Sequence, residues 1–164
     1  MKPSTQPTPP GFHTVTAALT VRNGAEAIEF YKKALGAEER MRMQGPDGKI
    51  GHAELKIGDS IIFLTDESPA FGNKSPQTLG GSSGSLYLYV EDVDTAFQRA
   101  VSAGGKATMP VTDMFWGDRF GSFVDPYGHT WGLSTHTQDM TEQEIEEAAK
   151  DFYAQMAQAQ KKTA

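Results

Sequence analysis

The 164-residue sequence has no cysteine, which excludes disulfides and thiolate-bound metals and leaves packing and hydrogen bonds to hold the fold. It has no apolar run near the roughly 20 residues that a membrane span needs. The opening M-K-P-S-T-Q-P-T-P-P-G lacks the apolar segment of a secretory signal and reads as a flexible arm. Basic residues are in the minority, 15 Lys and Arg against 21 Asp and Glu, for a net charge of −6. That balance argues against general nucleic-acid binding, which requires a basic surface to displace counterions. It suits a cationic small-molecule partner mildly, a solvated acidic surface being the commoner cause. A soluble cytoplasmic protein is the expectation, with 38% hydrophobic residues, enough for one core or for two small modules.

What is present is organised around Trp116 to His136, W-G-D-R-F-G-S-F-V-D-P-Y-G-H-T-W-G-L-S-T-H. Asp125-Pro126-Tyr127-Gly128 has turn chemistry, with Pro126 presetting φ at the second position and Gly128 closing the turn. Residues 119–124 and 129–135 flank it as the strands of a β-hairpin. Trp131, Leu133 and Thr135 alternate with Thr130, Gly132, Ser134 and His136, so the two sets face opposite sides of a sheet.

Ahead of the hairpin, residues 12–21 are rich in β-branched side chains and read as a strand. Asn23 is placed to cap a helix over 25–35 that carries Ala27, Phe30, Tyr31 and Ala34 on one face and ends at Gly36. Strands over 39–44, 49–57 and 60–65 follow, joined at Gly45-Pro46-Asp47-Gly48 and at Gly58-Asp59. Residues 67–84, rich in glycine, serine and proline, read as a linker or mobile loop. A strand over 85–90, a helix opened by Asp92 or Asp94 and ended by Gly104-Gly105, a strand over 106–112 and the hairpin then repeat the order. A shift of about 69 positions lays Val90-Glu91-Asp92 on Val21-Arg22-Asn23, Ala96 on Ala27 and Gly105 on Gly36, as an internal duplication would. In the tail, Thr141 and Glu144 form a capping box ahead of an apolar stripe of Ile145, Ala149, Phe152, Met156 and Ala159.

Two β-α-β-β-β modules with D-P-Y-G-H-T-W in the last hairpin resemble the vicinal oxygen chelate superfamily of glyoxalase I, bleomycin-resistance proteins and extradiol dioxygenases, over residues 12–138. The stretches G-P-D-G-K-I-G-H-A-E-L-K-I-G-D-S and S-T-H-T-Q-D-M-T-E-Q-E-I, with the hairpin, are similar more narrowly to its PhnB-like branch. The resemblance implies an α+β fold of tandem βαβββ modules, the glyoxalase/bleomycin-resistance/dioxygenase fold, plus a C-terminal helix. The layout is an arm over 1–11, a first module over 12–66, a linker over 67–84, a second module over 85–138 and the helix over 139–164. In the superfamily's metalloenzymes, His, Glu or Gln ligands lie on the first, fourth, fifth and eighth strands. The matching positions here are Thr16, Phe63, Ser85 and Gly132, none a competent ligand, so no metal cofactor is expected.

Strand parity names the lining of a sheet cavity. With Ala53, Leu55 and Ile57 under the helices, His52, Glu54 and Lys56 face the cavity, joined by Thr16, Ala18, Phe63, Ser85, Tyr87, Tyr89, Ser134 and His136. The expected ligand-binding set is Thr16, His52, Glu54, Phe63, Ser85, Tyr87, Tyr89, Trp116, Arg119 and His136. That mixture of polar and aromatic groups suits a planar or cationic organic ligand. Arg119 either pairs with Asp118 or clamps a ligand carboxylate. His52 and Glu54, two apart on one strand, are the candidate acid–base pair, with Glu54 orienting the imidazole or raising its pKa. With His136 they would make a displaced site for a divalent metal; the competing reading is a hydrogen-bonded pair at the sheet surface. His129 is expected to brace the hairpin, and His13 to carry nothing.

Two functions follow. One is a protein that binds a small organic molecule without the usual metal. The other is a glyoxalase-type lyase, isomerase or dioxygenase using the displaced His/Glu site. The apolar tail stripe, together with modules whose sheets need a cover, points to a homodimer. Sedimentation at micromolar concentration is expected to show a dimer that charged replacements of Phe152 and Met156 weaken; a monomeric wild type would rule it out.

Overall fold

The computed structural model describes residues 4–163, with the side chains of the C-terminal helix described through residue 158; residues 1–3 of the expected arm and the side chain of Ala159 lie outside the described residues. The first module is β1 (Ala18–Val21), α1 (Gly24–Leu35), β2 (Glu38–Gln44), β3 (Ile50–Ile57) and β4 (Ser60–Asp66). A 3₁₀ turn (Pro69–Phe71) and α2 (Pro76–Leu79) connect it to β5 (Ser85–Tyr89), α3 (Val93–Ser102), β6 (Lys106–Asp113), β7 (Asp118–Val124) and β8 (Thr130–His136). The tail is α4 (Glu142–Thr163). Each module makes a four-stranded mixed sheet, ordered β1-β4-β3-β2 and β5-β8-β7-β6, with β1 parallel to β4 and β5 parallel to β8. Among the described residues no helix is long and apolar enough to cross a membrane.

The duplication is visible at single atoms. The Asp66 carboxylate, at the end of β4, accepts from the backbone N–H of Gly24 at 2.8 Å and of Ile50 at 2.7 Å. At the same shift of about 69 positions, Thr135 Oγ1 at the end of β8 accepts from Val93 N–H at 2.9 Å and donates to Val90 O at 2.9 Å. A side chain from the last strand of each module thus satisfies an orphan donor at the start of that module's helix. This corrects the cap expected at Asn23, which adopts φ 60 and makes no side-chain cap bond. Asp92 caps α3, accepting from Thr95 N–H at 3.1 Å.

α1 packs on α3, and a single apolar core runs under both sheets, from Leu19, Val21, Leu55 and Leu64 to Phe123, Trp131 and Leu133. The hairpin turn reaches into the other module. Asp125, 3% exposed, accepts from Tyr31 OH on α1 at 2.7 Å and from Trp131 Nε1 at 2.8 Å. Its other oxygen takes the N–H groups of Tyr127 and His129, both at 2.9 Å. His129 Nε2 lies 3.0 Å from Thr20 O, so this histidine braces the hairpin against β1.

Two expectations need correction. The first strand begins at Ala18, after a bend at residues 14–15, and upstream of that bend Phe12 lies on Phe63. Thr16 therefore precedes the strand. The linker over 67–84 is built, not loose: Glu67 binds Arg22 at 2.8 Å and accepts from Ser75 and Thr78, and Gln77 Nε2 donates to Pro126 O at 2.9 Å. Serine and proline there act as an N-cap and first-turn residue for α2, a signal that composition alone hides.

Replacing Asp125 with Ala would strand the buried donors of Tyr31 and Trp131. A loss of about 3 kcal/mol with an unchanged urea m-value is expected, read by equilibrium unfolding.

Candidate ligand-binding site

The hairpin register sets Asp118 directly opposite His136. Both point to the helix-free face of the second sheet, along with Phe120, Ser134, Tyr87 and Tyr89. Asp118 is 3% exposed and collects Nδ1 of His136 at 2.8 Å, Tyr89 OH at 3.1 Å, Ser134 Oγ at 3.1 Å and Tyr87 OH at 3.4 Å. The other ring nitrogen of His136 meets Asp139 at 3.0 Å. Above this carboxylate runs a line of rings. Tyr87 stacks on Phe120 with centroids 5.3 Å apart at 11°, touches Tyr89 at 5.3 Å, and Trp116 continues the line 6.3 Å from Phe120. Phe115 abuts Trp116 and receives Phe152 of α4 at 5.1 Å, so the first half of α4 docks on its own module.

The electrostatics follow from that packing. Burial by itself would raise the Asp118 pKa, but hydrogen bonds from His136, Ser134, Tyr89 and Trp116 outweigh it and hold the carboxyl below its usual value. The His136 pKa is raised, first by its bond to Asp118 and then by Asp139. Tyr89 is raised by desolvation and by donating to Asp118, so it stays a phenol and a donor.

A cleft of about 560 Å³ lies along β5, between the Ile57–Ser60 turn of the first module and Leu88, Val90, Ala96 and Leu133 of the second. Tyr87 and Tyr89 form its lip and belong also to the Asp118 network. They remain 45% and 67% exposed, with one face of Tyr87 covered by Phe120.

The other expected residues distribute as follows. Ser85 lines a smaller cavity of about 270 Å³ with His13, Val15, Ala17 and Leu86. His52, Glu54 and Phe63 share the helix-free face of the first module, with the His52 ring 4.8 Å from Phe63 and its Nε2 3.8 Å from Glu54. Neither His52 nor Glu54 lines either cleft at β5. Arg119 is placed on the opposite face, beside α3: its guanidinium binds Asp94 at 2.7 Å and Asp113 at 3.0 Å. The expected pairing of Arg119 with Asp118 is not made, because adjacent residues of a strand face opposite ways and Asp118 takes the cavity side. Asp118 as the hub was missed, although the four-residue turn already set it opposite His136.

Metal donors do not converge. Among the described residues no three His, Cys, Asp or Glu side chains are grouped to hold an ion, and His136 is not joined to His52 and Glu54. Of the positions matching the superfamily ligands, Phe63 and Gly132 are crowded by rings. A Cβ on Gly132 would stand 2.7 Å from Phe120 and 3.1 Å from Tyr87, and Phe63 is packed by Phe12 and His52. The residues present do not fit that metal.

Two tandem βαβββ sheets with a helix-free aromatic face define a class, and comparison with known proteins gives its name. The model of the Glyoxalase/Bleomycin resistance protein/Dioxygenase superfamily matches residues 12–133, and the chain belongs to that superfamily. An uncharacterized protein of Mycobacterium tuberculosis, Rv0887c, is 43% identical over 133 residues, 79% of this chain and 78% of the relative. Among solved structures, protein PA1353 of Pseudomonas aeruginosa superposes with a TM-score of 0.61 at 26% identity, covering 77% of this chain and 99% of that one. TnmS3 of Streptomyces, described as an antibiotic-binding protein, gives a TM-score of 0.55 at 22% identity over 76% and 98% of the two chains, a likeness of fold alone.

Because the His136 pKa is raised from 6.5, its stabilisation is complete below the unfolded value and is lost as pH rises through the folded one. Asp118, lowered from 3.8, contributes above its unfolded value and fails only in acid. Urea midpoints followed from about pH 6 to about pH 9 should therefore fall more steeply in the wild type than in His136→Ala. Nuclear magnetic resonance titration of the His136 ring should give a midpoint above 6.5; a midpoint at or below it would contradict the ion pair.

Proposed function

We propose that the protein binds a planar organic molecule, aromatic and preferably cationic, in the cleft along β5, with no metal taking part. One observation carries the reading: Tyr87 and Tyr89 are at once the exposed lip of a cleft of about 560 Å³ and donors to the buried Asp118. Their hydroxyls are anchored, so the rings are held ready for stacking at little entropic cost. The size lies in the range of small-molecule sites. The ionised Asp118 behind the rings, with Asp59 on the cleft wall, favours a positive ligand, although Arg99 also lines the cleft. TnmS3 supports the reading only in that its fold, shared here, holds an antibiotic in that protein. The homodimer belongs to the same proposal: Tyr153 and Met156 on α4 stay 64% and 48% exposed, a surface that a second copy would cover.

Proflavine, a planar aromatic cation, tests the site by fluorescence titration. Micromolar binding to the wild type is expected, weakened about tenfold by Tyr89→Ala and by Asp118→Asn, and untouched by His52→Ala. Equal affinity for wild type and Tyr89→Ala would remove β5 from the site. Elemental analysis of the same samples should find no stoichiometric transition metal.

A further inference from the structure

The helix-free face of the first module is covered by the chain's own arm. The backbone turns where Phe12 N–H donates to Pro9 O at 3.1 Å, passes Gly11 over Ile61, and sets the Phe12 ring on Phe63 with centroids 5.6 Å apart. The Arg40 guanidinium stands over Phe12 at 5.6 Å and faces Glu54 at 3.6 Å. Little else holds the arm. Residues 12–16 lie outside the sheet, Ala17 O accepts from Phe63 N–H of β4 at 2.8 Å, and Val15 is 85% exposed. A segment seated by one ring between a phenyl face and a cation is a displaceable plug.

The internal repeat shows what the plug replaces. Ala18 pairs with Phe63 in the first sheet, and Tyr87 pairs with Gly132 at the matching place in the second. Large and small have exchanged strands. In the second module Tyr87 fills the room over Gly132 and stacks on Phe120, so its cluster is complete within the sheet. In the first, Ala18 supplies no ring, and a ring from the arm, Phe12, lies against Phe63.

We infer that Phe63, Arg40, Glu54 and His52 form a second binding site, for an aromatic acid, and that Phe12 occupies it as an intrachain competitor. The aromatic ring takes the place of Phe12 on Phe63. The acidic group takes the Arg40 guanidinium, which is 40% exposed and lies beyond hydrogen-bond distance of Glu54. The opposite charge preference and the other module separate this site from the one along β5, and it does not rest on that proposal.

The probe is 8-anilinonaphthalene-1-sulfonate, an aromatic anion, titrated by fluorescence into full-length wild type, Phe12→Ser, and Phe12→Ser with Arg40→Ala. Phe12→Ser should bind about fivefold tighter than wild type, and Arg40→Ala should reverse the gain. A peptide of residues 8–14 added to Phe12→Ser should displace the probe, and the same peptide with Phe12→Ala should not. Equal affinity in wild type and Phe12→Ser overturns the inference. So does a gain that survives Arg40→Ala and resists the peptide, because the probe would then be reporting a loosened core.

Discussion

One buried carboxylate ties the two halves of this molecule together. Asp125 sits in the hairpin turn of the second module, yet it is satisfied by Tyr31 from the first, by Trp131, and by two N–H groups of its own turn. Every lone pair that burial would otherwise leave costly has a donor. The result is directional as well as stabilising: the turn can seat against α1 in only one pose, and that pose sets the second sheet against the first. Burial foremost, and the Asp125 carboxylate next, push the Tyr31 hydroxyl well above its usual pKa, which keeps it a donor to Asp125 near neutral pH.

From that fixed pose the two helix-free faces acquire different characters. The second carries a buried carboxylate under tyrosines, bounded on one side by Phe115 and the docked start of α4. The first carries a histidine, a glutamate and an arginine around Phe63, with the arm laid across them. The same βαβββ scaffold occurs twice, and different side chains on the helix-free face of each sheet give the two surfaces different chemistry.

Much of this was legible in the residues. The turn chemistry at 125–128 and 45–48, the glycine at the end of α1 and the capping box of α4 are local signals, and each produced the expected element. Parity along β3, β5 and β8 put His52, Glu54, Tyr87, Tyr89 and His136 on the helix-free faces, because alternation is a property of the strand itself. What failed was non-local. The partner of Arg119 is Asp94, 25 positions away on a helix, and the donor to the start of α1 is matched by Asp66, 42 positions away. The arm over 1–11 reads as free because proline and threonine favour extended chain, while Phe12, expected at the start of the first strand, instead lies on Phe63, a contact that only the folded sheet creates.

The exchange of Ala18 and Phe63 for Tyr87 and Gly132 also constrains how the two halves can diverge. Gly132 cannot gain a side chain while Tyr87 and Phe120 occupy the space in front of it, and Tyr87 cannot shrink without opening a void. Such neighbours are coupled, so their replacements are viable chiefly in pairs. Each module therefore holds one bulky and one small residue at this spot, with the strands that carry them exchanged. The structure holds both solutions, one in each module.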